Sequence, residues 1–386
     1  MRFSALFAAV AVCLLTLAPF SNFETVSEER TLDSKPMMRT NSDNLSGWLA
    51  SAGGSSSERV QAMVPLPNGS MIVAGMFEQN IEFNGDVIGY SSNDSTFGID
   101  MFVAWIDENG TWTETLSASS SGLDGIDAMG RLSDGSVVVT GTFCGMTKGD
   151  ACNMTLGGLE PIKKLSDDDE NAVFVAAMTP TGGWMWATSF SNNYQMSVMD
   201  LLITPNDEVH LALLHRDTLM SGEDVAPGSL SEDTVAVLIL DSNGNHMHMN
   251  TVFSSESLEG FGSLCMDYTG QTYLATSFLD SINFGDHALT SFGGSHIAVG
   301  QYNSGGWLWA SGAGGTSDAS VADCDGRNSG GVAIVGDFMQ NLTFGGIEIS
   351  ASVWVDFYEA HVSSNGTWLH ATGFGGTGAD LSLIHI

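Results

Sequence analysis

Basic residues are scarce in this chain. Lys and Arg together number 11 in 386 residues, against 45 Asp and Glu, for a formal net charge of −34. Nucleic acids and anionic membrane surfaces are held by basic patches, so neither is expected as a partner. No window carries the 3.6-residue apolar period of an amphipathic helix. Apart from the N-terminus, no apolar run approaches the roughly 20 residues that cross a membrane as a helix. Cysteine is sparse, at 5 residues, but hydrophobic residues make up 43%, ample for a large core. The chain has no Gly-x-Ser-x-Gly elbow, no His-Glu-x-x-His and no Cys-x-x-Cys. A catalytic group assembled from distant residues stays open. The acidity reads first as a solvated surface suited to a salty medium, where charge is screened within about 8 Å. Binding of a cation or of a cationic partner is the alternative.

What the chain does have is repetition. A turn ending in glycine followed by an aromatic strand recurs at Asp107–Gly110, Thr179–Gly182, Asp241–Gly244, Tyr302–Gly305 and Ser363–Gly366. The strands that follow carry Trp112, Trp184 with Trp186, His246, Trp307 with Trp309, and Trp368. A further copy opens the series at Gly47-Trp48-Leu49-Ala50 and runs to Gly53-Gly54. The spacing is 72 residues from Trp112 to Trp184 and then 62, 61 and 61 to Trp368. Asn-Gly supplies the positive φ that tight hairpins need. Three more landmarks recur between the aromatic strands. One is a turn with a β-branched run, as in Pro67–Gly75 and Ser133–Gly141. The second is an alternating element, as in Asn80–Gly85, Asn153–Gly158, Ser281–Asp286 and Asn341–Gly346, which the third repeat lacks, its stretch 216–232 reading as a longer loop. The third is an apolar strand before the turn, as in Met101–Trp105 and Val173–Ala177.

Four short strands per period of about 60 residues, with no helix, predict an all-β fold. The expectation is a β-propeller of repeated four-stranded antiparallel blades, about five complete blades plus an extra strand. Each blade has two apolar faces and must stack on neighbours, and the recurrent Trp reads as a wedge between blades. The Trp strand ending in Ala and Gly-Gly, the Gly-bounded valine strand, the Phe-Gly element and Asp100-Met101-Phe102-Val103-Ala104 together resemble the bacterial β-propeller repeat called SBBP. The resemblance covers roughly residues 46–380 and is weakest in the third copy. It implies a secreted or surface protein and brings no catalytic residues with it.

Residues 1–22 read as a signal peptide, with Arg2 before the apolar stretch from Phe3 to Ala18 and cleavage expected between Ala18 and Val26. Residues 23–45 read as a polar linker, 46–380 as the repeats, and 381–386 as a non-repeat tail. That tail matches no repeat position and reads as an artefact on a truncated chain. Cys13 follows Val12, which argues against a lipoprotein anchor. In an exported chain Cys144 and Cys152 are expected to close the insertion between them as a disulfide. Cys265 and Cys324, 59 residues apart, fall at neighbouring positions of successive repeats and are open to pairing between them. Seven Asn-x-Ser/Thr sequons stand at Asn44, Asn68, Asn93, Asn109, Asn153, Asn341 and Asn365. Several coincide with turns that favour Asn-Gly anyway.

Candidate chemistry is thin. Asp241–Asn245 and Asp107–Gly110 resemble the start of a calcium loop, but Val252 stands where the bidentate Glu after Asp241 belongs, so both read as turns. Asp167-Asp168-Asp169-Glu170 reads as a charged loop before a divalent site. His246 and His248 share a strand face with spacing suited to copper or zinc and no third ligand, and read as a divergent blade strand. Gly373–Gly378 resembles a phosphate loop only superficially, since no helix is expected after it. No catalytic or cofactor-binding residue is assigned and the metal ligands are unknown. No cofactor is expected, with calcium left open. The expectation is a monomeric, non-catalytic, secreted or cell-surface interaction module for a glycan, protein or cation. The alternatives are a propeller enzyme of lyase, lactonase or quinone-dependent dehydrogenase type with its site in the central channel, and a structural spacer of a larger surface protein.

Overall fold

A computed structural model describes residues 48–89, 98–145, 152–165, 170–221, 224–226, 228, 232–255, 258 and 262–376. Segments 1–22, 23–45 and 381–386, the Asp167–Asp169 run, and the sequons at Asn44 and Asn93 lie outside these residues. Within them the fold is all-β and holds no helix.

Five similar units follow one another. The first contains β1 (Glu58–Pro65), β2 (Met71–Glu78), β3 (Asn80–Phe83), β4 (Asp86–Gly89), β5 (Ile99–Ile106) and β6 (Trp112–Ser119). The second contains β7 (Leu123–Arg131), β8 (Val137–Gly145), β9 (Asn153–Leu156), β10 (Ile162–Lys163), β11 (Ala172–Met178) and β12 (Trp184–Phe190). The third contains β13 (Ser197–Ile203), β14 (Val209–His215), β15 (Leu219–Ser221), β16 (Asp224–Ala226), β17 (Asp233–Leu240) and β18 (His246–Ser254). The fourth contains β19 (Gly262–Met266), β20 (Thr272–Phe278), β21 (Ser281–Phe284), β22 (His287–Thr290), β23 (His296–Asn303) and β24 (Gly306–Gly315). The fifth has β25 (Asp323–Gly326), β26 (Val332–Phe344), β27 (Ile347–Val362) and β28 (Trp368–Phe374), its hairpin continuous with the long strands.

Each unit is a four-stranded antiparallel meander, such as β1-β2-β5-β6 or β13-β14-β17-β18. The first strands β1, β7, β13, β19 and β25 lie next to one another in order and form the inner edge. This corrects the sequence reading in two ways. The innermost strand had no landmark at all. The alternating landmark is not one of the four strands but part of a hairpin that pairs with the outer strand of the preceding unit. Leu156 of β9 pairs with Ala118 of β6, Phe284 of β21 with Val252 of β18, and Thr343 of β26 with Gly314 of β24. The third unit does not lack this element. Its hairpin β15–β16 bridges back from Met220 to Ser191. The lack of both Asn and Phe in Leu219-Met220-Ser221 hid it.

The core lies between units, where the apolar face of one sheet meets that of the next. Ile72, Val103 and Trp105 pack with Val139, Phe143 and Phe174. Tyr273 and Val299 pack in the same way with Ile334 and Tyr358. The third strands are buried on both faces, as Ala172–Met178 and Asp233–Leu240 illustrate, which is why they read as unbroken apolar runs. The tryptophans do join units, in two ways. Trp112, Trp307 and Trp368 meet Phe83, Phe284 and Phe344 edge-on at 4.7–4.9 Å and donate their indole N–H to the carbonyls of Ser51, in the segment before β1, and of Thr251 and Gly312, in the preceding outer strands. Trp186 and Trp309 reach forward, donating to the carbonyls of Ser242 and Ser364 in the next unit's turn. A Cβ on Gly244, at φ +80°, would lie 2.5 Å from the Trp186 ring, so glycine there serves both turn and wedge.

Candidate functional site

The sequence candidates separate cleanly. Asp107 and Asp241 spend their Oδ1 atoms on their own turns, accepting from the backbone N–H of Asn109 and Thr111 and of Asn243 and Asn245 at 2.8–2.9 Å. These are Asx turns on exposed hairpins. Hydrogen bonds from the Thr111 backbone, for Asp107, and the Asn245 side chain, for Asp241, hold both carboxyls below their ordinary range. His246 and His248 sit exposed on β18, opposite Leu240 and Ile239. Gly373–Gly376 ends the outer strand β28. Among the described residues no group of three His, Cys, Asp or Glu side chains converges as metal ligands would. Both cysteine pairs are disulfides: Cys144–Cys152 closes the second unit's insertion, and Cys265–Cys324 ties the fourth unit's inner strand to the fifth's.

The sequence reading missed the carboxylates of the inner edge. Ala62, Ala128, Asp200, Ser263 and Asp323 share one register position, opposite Ala74, Thr140, Ala212, Ala275 and Val335. Ser263 Oγ lies 3.0 Å from Asp200 Oδ2 and 3.0 Å from Asp323 Oδ1, a chain across three successive units. One hydroxyl proton serves only one of these contacts, so the second asks for a proton on a carboxyl. Burial raises Asp200 to about 6, with the Asp323 charge adding to the effect and hydrogen bonds from Leu264, Leu201 and Ser263 opposing it. Farther along β7, burial raises Asp124 to about 7 although it accepts from Ser120 and from the Cys144 N–H. Asp127, on a β-bulge between Ile126 and Ala128, is exposed to solvent. Aligning the first strand of each repeat would have shown Asp200 and Asp323 standing where Ala62 and Ala128 stand.

A cleft of about 360 Å3 opens between the fourth and fifth units, at the end where β20 finishes and β25 begins. Its apolar side is Phe278, Phe338 and Met339; its polar side is Ser277, Asp318 and Asp337. The walls are pinned. Ser277 Oγ accepts from the Val321 N–H at 2.8 Å, Asp318 Oδ1 accepts from the Ser295 N–H at 2.9 Å, and the Tyr358 hydroxyl donates to the Ser320 carbonyl at 2.8 Å. Burial raises the Asp337 carboxyl above its ordinary value. Its counterparts in the first, second and fourth units are Met76, Thr142 and Ser277, so a carboxylate here belongs to the fifth unit alone among these. A wider cleft of about 630 Å3 lies between the first two units at the turn end, crossed by the Trp105 indole bonded to the Pro180 carbonyl. The first cleft combines fixed acceptors with an apolar wall, the make-up common to small-molecule pockets. No family model matches the chain, and no curated protein is similar to it.

Proposed function

We propose that the protein is an exported, non-catalytic β-propeller of the SBBP-repeat type that binds a saccharide at the cleft between its fourth and fifth units. One observation carries this reading. The repeated Trp, Phe and Asn-Gly residues are taken up by packing between units, while the carboxylates and hydroxyls of this cleft stand where the repeat departs from itself. Asp318 and Asp337 would accept hydrogen bonds from adjacent sugar hydroxyls, and the exposed Met339 would meet the apolar face of a ring. Four-stranded meanders that stack through their faces around a shared inner edge support the propeller, each meander being one blade. Two disulfides are compatible with an extracellular protein, and the apolar segment at 1–22 supports export. A glycan array, run with and without calcium, tests the reading. Binding should appear to a defined saccharide class and fall at least about tenfold in Asp337→Ala, the scale of one lost charge-assisted hydrogen bond. Absence of binding to any glycan would leave the spacer reading in its place.

The chain Asp200–Ser263–Asp323 favours a second reading, a propeller enzyme with its site at the inner edge. Burial raises the Asp200 carboxyl to about 6, toward the range in which a carboxyl serves as a general acid. Turnover of glycosides or lactones that disappears in Asp200→Asn would establish it.

A further inference from the structure

Four of the five units carry a phenylalanine at one register position of the second strand. Phe77, Phe143, Phe278 and Phe338 stand there, opposite Asp100, Ala172, His296 and Asp356. The third unit departs from this. His215 of β14 takes the phenylalanine's place, and Thr234 of β17 stands opposite it. The next pair on that face, Leu213 and Ala236, packs with Val173, Val175 and Phe190 of the second unit. The histidine and threonine therefore lie in an interior seam, between the second and third units. Both are closed off from solvent, His215 at 1% exposed and Thr234 at 0%. The imidazole Nδ1 lies 3.1 Å from the Asp217 carbonyl. A carbonyl only accepts, so Nδ1 carries the proton. Burial keeps the ring below its ordinary value, so it is neutral at pH 7 and Nε2 presents a bare lone pair. Among the described residues neither Nε2 nor the Thr234 Oγ1 has a hydrogen-bond partner.

We propose that a single internal water molecule is bound between these two side chains, donating to His215 Nε2 and accepting from the Thr234 hydroxyl. Buried polar atoms are paired in the great majority of cases, and two orphans side by side point to one shared partner. Residues directly opposite in an antiparallel pair hold their Cβ atoms about 4.5–5.5 Å apart, a spacing that one small molecule spans. An imidazole is also smaller than the phenyl ring of the other units, which leaves room for it. The surroundings are polar. Ser191 and Asn192, both fully buried, lie at the same end of β14, where the Asn192 amide donates to the Arg216 carbonyl at 2.5 Å. Two side-chain contacts meet the minimum that holds a buried water. A metal ion is the poorer occupant. An imidazole whose other nitrogen donates to a carbonyl is arranged as metal ligands are, but no group of three His, Cys, Asp or Glu side chains converges here.

Diffraction from crystals of the full chain, fine enough to show ordered water, tests this. A density peak is expected within about 2.7–3.2 Å of both Nε2 and Oγ1. Three results overturn the proposal: no density between the two atoms, a direct bond from the hydroxyl to the imidazole, or a peak about 2.1 Å from Nε2 with anomalous scattering, the mark of a metal ion. Thr234→Val gives an independent reading in solution, since it keeps the shape and removes the hydroxyl. A hydroxyl held by water is a lost contact that also strips His215 of its partner, so the equilibrium constant for unfolding should rise at least about threefold. A hydroxyl with no partner is better replaced by a methyl group, so an unchanged or lower constant overturns the proposal as well.

Discussion

Tyr358 illustrates how individual side chains lock the units. It is fully buried, packs against Phe344 at 5.3 Å and donates its hydroxyl to the Ser320 carbonyl at 2.8 Å. Removing that hydroxyl leaves a buried acceptor behind, so Tyr358→Phe should cost about 1–2 kcal/mol in chemical denaturation. Trp307 is only half buried, because its ring lies on the seam rather than inside the core. Trp307→Ala should therefore cost about 3 kcal/mol, the lower end for an aromatic truncation. Asp124 and Asp200 make stability depend on pH. Their folded values near 7 and 6 lie above the ordinary value of about 3.9, so the folded state holds these protons more tightly. Their contribution is fully present below about pH 4 and is lost as pH rises toward 7. The melting temperature should fall across that window, and Asp200→Asn should flatten the fall. An unchanged slope would mean that Asp200 ionises freely. The wedge role of the tryptophans could be read from their recurrence. The inner-edge carboxylates needed an alignment of the first strands to be seen, since nothing in Asp323-Cys324-Asp325-Gly326 by itself marks a strand.

Among elements, the two disulfides constrain the chain unequally. Cys265 and Cys324 are 59 residues apart, and Cys144 and Cys152 are 8. Loop-closure entropy gives about 4 kcal/mol for the first and about 2.5 for the second. Double Ser replacement at Cys265 and Cys324 should lower stability by the larger amount, measured by denaturant titration under identical conditions. The same pairing was open in the sequence from the 59-residue spacing, because that spacing matches the repeat. Hairpins were harder to assign. The alternation in Ile81 and Phe83 announced a strand with one apolar face, but period alone does not say which neighbour that face will meet. Only the register of Leu156 with Ala118 shows that it meets the unit before. The inner strands escaped notice for a related reason. β-Bulges such as the one between Val60 and Ala62 interrupt their alternation, and a strand read by period 2 loses its signal there.

For the molecule as a whole, a charge of −34 on five stacked sheets means that folding gathers like charges together. Screening should relieve this, so the melting temperature should rise from low salt to about 0.5 M sodium chloride. A flat response would place the acidic groups too far apart to repel. The hairpins have a consequence for synthesis. A ribosome delivers the chain from the first unit to the fifth, and no outer strand is finished when its own unit is complete. Ala118 waits for Leu156, Val252 for Phe284 and Gly314 for Thr343, intervals of about 30 to 40 residues. At 5–20 residues per second, each edge stands open for some seconds. The growing chain therefore always shows one unfinished strand to its surroundings, and that strand is the one a chaperone would find.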